Sequence, residues 1–514
     1  MPPAPSSRFT LTLNAAALTG ATLVAAAGLG GLGLGYAEDV DSLGIARSAE
    51  AILAGGYERS RVLGVPLFEL IAAGLLGLGG VSLVNAASLV FTLGAVVFLW
   101  AALRRTGGKG APFALFAAAA SPLILINASA MMETSLLALC VSAGLWAAVS
   151  AAATGERRFV IAAALAGALA TAARPDAALF ALALGGSLAF EQRKDWRKAA
   201  ETLAWFAGLG LLAIGLYGLM NGGYAFLDQV AVSQDTPARS AARAVLGAAA
   251  VLGLFGAVVL AITLARAARN PKAAWTRAVD ATPAARVALL IAIAAGVMYG
   301  LRFLALPDEL EYLLPAFLCL CLAFGAFAGR LTCALLAFSL LVANVGQIAL
   351  FERRGEDVRV AVSLQHGALV QDWAFRRHNQ WLRSPQTEAI LADLAGELGA
   401  TPDRTHLWLN GVAFPGGGVV VGADQVYRFR SAPPDNPHHE LRYREIVVCP
   451  VSIIPRRGWR LLQPPHLQTL NGPEEWYARC RSFTPRPALA AAASTDGDGY
   501  ALPPSPSRPP ALGL

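Results

Sequence analysis

Residues 9–42, FTLTLNAAALTGATLVAAAGLGGLGLGYAEDVDS, carry no charge as far as Tyr36 and then present Glu38, Asp39 and Asp41 in quick succession. A helical crossing of a bilayer takes roughly 17–25 residues, so the apolar part is long enough to span, and the acids mark where the chain leaves the hydrocarbon. The run is too long for a signal-peptide core and lacks a clear small-residue cleavage site. It reads as an uncleaved first span, with Arg8 at its inner end and an acidic lip at its outer end.

The rest of the chain extends the pattern. Of 514 residues, 56% are hydrophobic and only 15% charged, against roughly 25% charged in an ordinary soluble domain. The mean hydropathy is +0.53. Span-length apolar runs recur until about residue 350 and then stop, which divides the chain into a membrane domain (1–350), a soluble domain (351–486) and a Pro/Ala-rich tail (487–514) expected to be disordered. The net charge of +7 comes from short Lys/Arg clusters between apolar runs. Such clusters report topology and argue against a nucleic-acid partner.

Placing the clusters at residues 104–109, 157–158, 193–198, 266–286 and 330 in the cytoplasm requires an even number of crossings between them. The second crossing then falls at 81–103, and LGVPLFELIAAGLLGLG (63–79) becomes a half-inserted segment at the outer surface. Further crossings follow at 112–127, 134–153, two halves of 159–190 broken at Arg174-Pro175-Asp176, 202–221, 244–267, 287–304, 313–329 and 331–350. The expected fold is an α-helical polytopic membrane protein of about eleven spans with a small extracytoplasmic C-terminal α/β domain. Parity places the acidic lip, Met132-Glu133, Arg174-Pro175-Asp176, the 222–243 loop and Pro307-Asp308-Glu309 together on the outer face. The expected location is a bacterial-type inner membrane, with the N-terminus cytoplasmic.

A lone exposed acid is by default a solvated lip. Asp39 and Asp41 form an Asp-X-Asp pair near a span end, followed on the same side by Arg47, Arg59 and Arg61. Carboxylates beside cations suit a reaction that removes a proton and stabilises a departing phosphate. Arg174 reads either as a cation lining a backbone break or as a snorkelling helix anchor. Glu133 reads by default as a solvated loop tip. An Asp-X-Asp pair admits a divalent cation, but two carboxylates are few ligands for a dedicated site, so no tightly bound metal or other cofactor is expected. The six histidines all lie beyond residue 350, without zinc-site spacing.

The order of apolar span, Asp39-Val40-Asp41, IARSAEAILAGGY and SRVLGVPLFEL resembles the opening of the GT-C glycosyltransferases, which include protein O-mannosyltransferases, aminoarabinose transferases and arabinosyltransferases. Gly64-Val65-Pro66-Leu67 is similar to a Gly-Tyr-Pro-Leu stretch of that family, Met132-Glu133-Thr134 to its Met-Glu-Thr, Thr171 to Asp176 to its Thr-(Arg/Lys)-Pro-(Asp/Glu) break, and Tyr312-Leu313-Leu314-Pro315 to its Tyr-Leu-Leu-Pro. Where a basic residue often precedes that tyrosine, this chain has Glu311. The resemblance implies transfer of a sugar from a polyprenyl-phosphate donor to a hydroxyl of a cell-envelope glycan, glycolipid or protein, with inversion. It implies Asp39 or Asp41 as the base, Asp39 first because it lies nearer the span end. Arg174 is the first choice for the lipid phosphate, with Arg61, Arg59 and Arg302 behind it and Glu133 and Asp176 completing the substrate site. The classes it competes with are a multispan transporter of an envelope precursor and a non-catalytic membrane scaffold.

In the C-terminal part, THLWLNGV, GGGVVVGADQVYRFR and REIVVCPVSIIP read as strands. Ser384-Pro385 starts an apolar helical period that ends at Gly399. Cys449 and Cys480, the two cysteines outside the spans, form a candidate disulfide in an oxidising compartment.

Overall fold

The computed structural model describes residues 7–35, 40–60, 64–221, 223, 245, 247, 249–305, 310–351, 359–363, 368–369, 372–373, 376, 405–410, 418–422 and 445–448. Asp39, Arg61, Asp308, Glu309, Cys449, Cys480, the expected 384–399 helix and the 487–514 tail lie outside them.

The described residues of the membrane part are predominantly helical. In chain order they comprise α1 (Ser7–Gly31), α2 (Val40–Leu53), α3 (Pro66–Thr106), α4 (Ala111–Ala119), α5 (Pro122–Asn127), α6 (Thr134–Thr154) and α7 (Arg157–Ala173). After a 3-10 turn at Pro175–Ala177 come α8 (Ala178–Glu191), α9 (Trp196–Met220), α10 (Leu254–Arg269), α11 (Pro271–Val279) and α12 (Pro283–Ala305). A second such turn, Leu310–Leu313, leads into α13 (Leu314–Phe327) and α14 (Arg330–Val345). Among the described residues, six stretches are long and apolar enough to cross a bilayer: α1, α3, α6, α9, α12 and residues 310–327. α6 is the most enclosed of the six, packed against α3, α7 and α12, whereas α1 and α9 leave most of their leucines outward. Outward leucines cost nothing where the surroundings are lipid tails. Glycines set the closest approaches: a Cβ on Gly144 would come within 2.9 Å of Leu184, and one on Gly20 within 2.9 Å of Ala119.

The hydrocarbon offers no water to a freed backbone group, so each helix break needs a partner from a neighbouring element. At the end of α1, Asn85 donates to the Leu32 carbonyl (3.3 Å) and the Gly35 carbonyl (2.9 Å). The expected single crossing at 112–127 is instead two helices, because Pro122 supplies no N–H to continue α4. The Ala120 carbonyl at that break accepts from Asn344 of α14 at 2.7 Å. The expected crossing at 244–267 is also interrupted, at Gly253, where Ser339 of α14 accepts from the Gly256 N–H (2.9 Å) and donates to the Leu252 carbonyl (3.1 Å). The last crossing stops at Val345 rather than at 350, because residues 347–351 pair as a strand.

The expected boundary between a surface segment and the second span falls on a real break. Inside α3, Gly79 (φ −158°, ψ 19°) and Gly80 (φ 68°, ψ −168°) are non-helical. Residues 66–78 pack along α2, with Gly77 close to Leu53, while residues 81–106 form the long rod against α1 and α6.

Beyond α14, β1 (Gln347–Phe351) pairs antiparallel with β2 (Arg359–Ser363). Three further strands form a second sheet in the order β4 (Gly418–Gly422), β3 (Thr405–Asn410), β5 (Glu445–Val448), with β3 antiparallel to β4 and parallel to β5. All three lie within the segments read as strands from sequence.

Gly80 has open space where a Cβ would project, so only its backbone conformation demands glycine. Gly80→Ala is therefore expected to cost about 1–3 kcal/mol. Gly74→Ala, in a helical conformation with equally open space, is expected to be neutral or stabilising. Thermal unfolding of the two variants in detergent compares them directly.

Candidate functional site

α7 ends at a proline. The residue before a proline is pushed out of the helical region, and Arg174, before Pro175, adopts φ −154°, ψ 123°. That turn directs its side chain into a polar knot. Arg174 Nε donates to Asp176 Oδ1 at 2.9 Å and Nη1 donates to Glu311 Oε2 at 3.2 Å. Nη1 also lies 3.5 Å from Glu133 Oε1. The guanidinium carbon stands 4.4 Å from the centre of the Tyr312 ring, and that of Arg302 stands 4.6 Å from the same centre. The Tyr299 hydroxyl donates to the backbone carbonyl of Asp176 at 3.2 Å.

Four stretches of chain meet here: the start of α6, the 174–176 break, the last turns of α12 and the 310–313 turn. Arg174 is 2% exposed and Glu133 is 0% exposed. Arg174 is thus no snorkelling anchor, and Glu133 is no solvated loop tip. Three carboxylates share one fully charged guanidinium, with Arg302 the next cation in the knot. The positive charge of Arg174 is neutralised within the protein, so it has little to offer an incoming anion.

A second polar group organises the turn between α2 and α3. Glu69, in the first turn of α3, is fully buried. Its carboxylate accepts from the Tyr57 hydroxyl at 2.7 Å and from the Ser60 N–H at 3.0 Å. Gly64 closes the turn with φ 64°, and a Cβ there would approach the Tyr57 oxygen to 2.9 Å. Burial, reinforced by the Glu69 charge, pushes the Tyr57 phenol well above its ordinary value, so it remains a donor. Arg47 of α2 grips Glu58 with two contacts, at 2.8 Å and 2.5 Å. Asp41 sits half-buried in the first turn of α2, and Arg59 is exposed in the α2–α3 turn beside Gly64.

Of the residues nominated from sequence, Arg174, Glu133, Asp176 and Arg302 come together, Asp41 and Arg59 belong to the α2–α3 region, and Asp39 and Arg61 lie outside the described residues. Glu311, Tyr312 and Tyr299 join the first group and Tyr57 and Glu69 the second. Glu69 carries a legible sequence signal, an acid inside an otherwise apolar run. Glu311 stands out in sequence only as an acid where a base is common, and Tyr299 carries no signal at all. Among the described residues, no group of three His, Cys, Asp or Glu is arranged to hold a metal ion. The cysteines Cys140, Cys319, Cys321 and Cys333 are free and buried.

No family model, curated protein or solved structure matches this chain.

Removing one partner of a buried ion pair costs about 3–5 kcal/mol, because it strands the other charges. Arg174→Leu, which strands three carboxylates, is expected at or beyond the top of that range and to leave little folded protein in detergent. Size-exclusion profiles and thermal unfolding check this, and Glu311→Gln, which leaves Glu133 and Asp176 paired, should be clearly milder. Tyr57→Phe deprives Glu69 of a donor and is expected to cost about 1–3 kcal/mol by the same unfolding measurement.

Proposed function

We propose that this chain is a GT-C-type integral membrane glycosyltransferase. It moves a sugar from a polyprenyl-phosphate donor to a hydroxyl of a cell-envelope glycan, glycolipid or protein on the outer face of a bacterial-type inner membrane. The observation that carries the reading is the convergence at one end of the helices: Asn85 holds the last residues before the acidic lip at the end where α6 begins and α7 breaks, and the Arg174 knot lies there. The Lys/Arg clusters fall at the opposite ends of the same helices, as at the Arg286–Glu191 and Arg157–Glu201 pairs. That asymmetry supports a cytoplasmic basic end, about eleven crossings counting the broken helices, and a C-terminal α/β domain (351–486) outside.

In this reading the acceptor oxygen attacks the anomeric carbon as the bond from that carbon to the phosphate oxygen breaks. The polyprenyl phosphate leaves with the bonding electrons, the configuration inverts, and the acceptor proton passes to Asp39 or Asp41. The leaving phosphate needs a cation whose charge is not already neutralised. The charge balance around Arg174 shifts that role to Arg302, at the edge of the knot, while Arg174 holds the loops in place; Arg59 and Arg61, which follow the acidic lip in sequence, stand behind it as the resemblance implies. A divalent cation is admitted but not required.

Asp39→Asn and Asp41→Asn, singly and together, are expected to reduce transfer from a radiolabelled polyprenyl-phosphate sugar in membranes. The double variant should lose at least the ~10²-fold typical of a missing general base. Undiminished transfer by the double variant would sink the mechanism. Sugar accumulation in vesicles without a covalent product would instead identify a transporter.

A further inference from the structure

Among the described residues, one buried charged pair belongs to neither the Arg174 knot nor the Glu69 turn. Asp372 and Arg376, four residues apart and both helical, are each 0% exposed, and Arg376 Nε lies 2.8 Å from Asp372 Oδ2. They come from the C-terminal part, beyond β2, yet Arg376 ends in the membrane part. Its Nη2 donates to the Ile126 carbonyl at 2.6 Å, and its Nη1 donates to the Ser129 carbonyl (2.8 Å) and the Ser129 hydroxyl (2.7 Å). These acceptors sit at the end of α5, where the last carbonyls of a helix have no partner within it. A planar guanidinium with forked donors suits three converging oxygens in a way that an ammonium does not.

The surroundings are tight. A Cβ on Gly31, at the end of α1, would collide with the Ser129 hydroxyl and fall 2.9 Å from Arg376 Nη1. One on Gly30 would touch the Trp373 ring at 3.5 Å. From the other side, the Ser88 hydroxyl of α3 donates to the Ala130 carbonyl at 2.7 Å. Residues 126–130 are therefore clamped between α1, α3 and a segment about 250 residues further along the chain. Three residues on, the same loop delivers Glu133 to Arg174.

We propose that Arg376 is a positioning residue for the Arg174 knot. By gripping the end of α5 it fixes the loop that carries Glu133, and through Glu133 it couples the C-terminal part to Arg174 and to the 310–313 turn. A pull on residues 372–376, from a partner or from the C-terminal strands, is then felt at the knot. The coupling is a property of the fold and stands apart from the glycosyltransferase reading.

Hydrogen exchange of the full chain in detergent tests it. In Arg376→Leu, amides of 126–133 are expected to exchange at least ~10-fold faster than in the parent, and those of 174–177 and 310–313 several-fold faster. Arg376→Lys, which keeps the pairing with Asp372 but loses the fork, should fall between the two. Faster exchange confined to 126–133 would reduce Arg376 to a local clamp and overturn the coupling; unchanged exchange at 126–133 would overturn the contact itself. Should Arg376→Leu not fold, Gly31→Ala crowds the clamp from α1 without deleting a polar group. It is expected to give the same three-segment pattern, and the same two outcomes would overturn the proposal.

Discussion

The fold turns on a charge that cannot be left alone. A guanidinium buried among apolar helices must be compensated where it stands, and Arg174 is compensated by carboxylates from three separate stretches: Glu133, Asp176 and Glu311. Each partner on its own leaves a geometry free to slide. Together they fix the ends of α6, α7, α8, α12 and α13 relative to one another. Tyr312 and Tyr299 complete the arrangement, one beneath the guanidinium and the other on the Asp176 backbone. Such networks are costly to assemble and more costly to break, because losing one member exposes the rest to the low dielectric around them.

The same rule governs uncharged groups. At three places where a helix stops or kinks within the membrane part, a polar side chain from another element meets the freed backbone group: Asn85 at the end of α1, Asn344 at the α4–α5 break, Ser339 at Gly253. Asparagine and serine suit this task, being short and able to reach a backbone group across a close helix contact. At these three breaks the freed backbone groups stay hydrogen-bonded. Breaks are what a membrane protein needs to bring irregular backbone and charge to one end of otherwise continuous helices.

Much of this architecture is readable from sequence because it depends on local composition. The apolar runs locate the helices, Gly79-Gly80 mark the start of the second rod, and Pro175 marks the break that frees Arg174. Pro175 signals its break because a proline acts on the backbone of its own neighbours, whereas Pro122 and Gly253 fall inside stretches whose hydropathy alone reads as single crossings. The partners that repair those breaks are not readable, since Asn344 and Ala120 lie far apart in the chain and nothing in either stretch names the other. Glu311 illustrates the same limit: a charge sign that departs from a motif becomes a partner of Arg174 only when the turn before α13 is brought against the end of α7.

The sequence by itself determined that this is a helical membrane protein and roughly where its apolar runs lie, because hydropathy is a property of short windows. Only the tertiary structure decided that Arg174 is buried and neutralised, that Glu69 and Tyr57 pair, and that Arg376 returns from the C-terminal part to grip the end of α5. Those outcomes depend on which distant groups share a low-dielectric space, and burial and pairing of that kind exist only once the helices have packed.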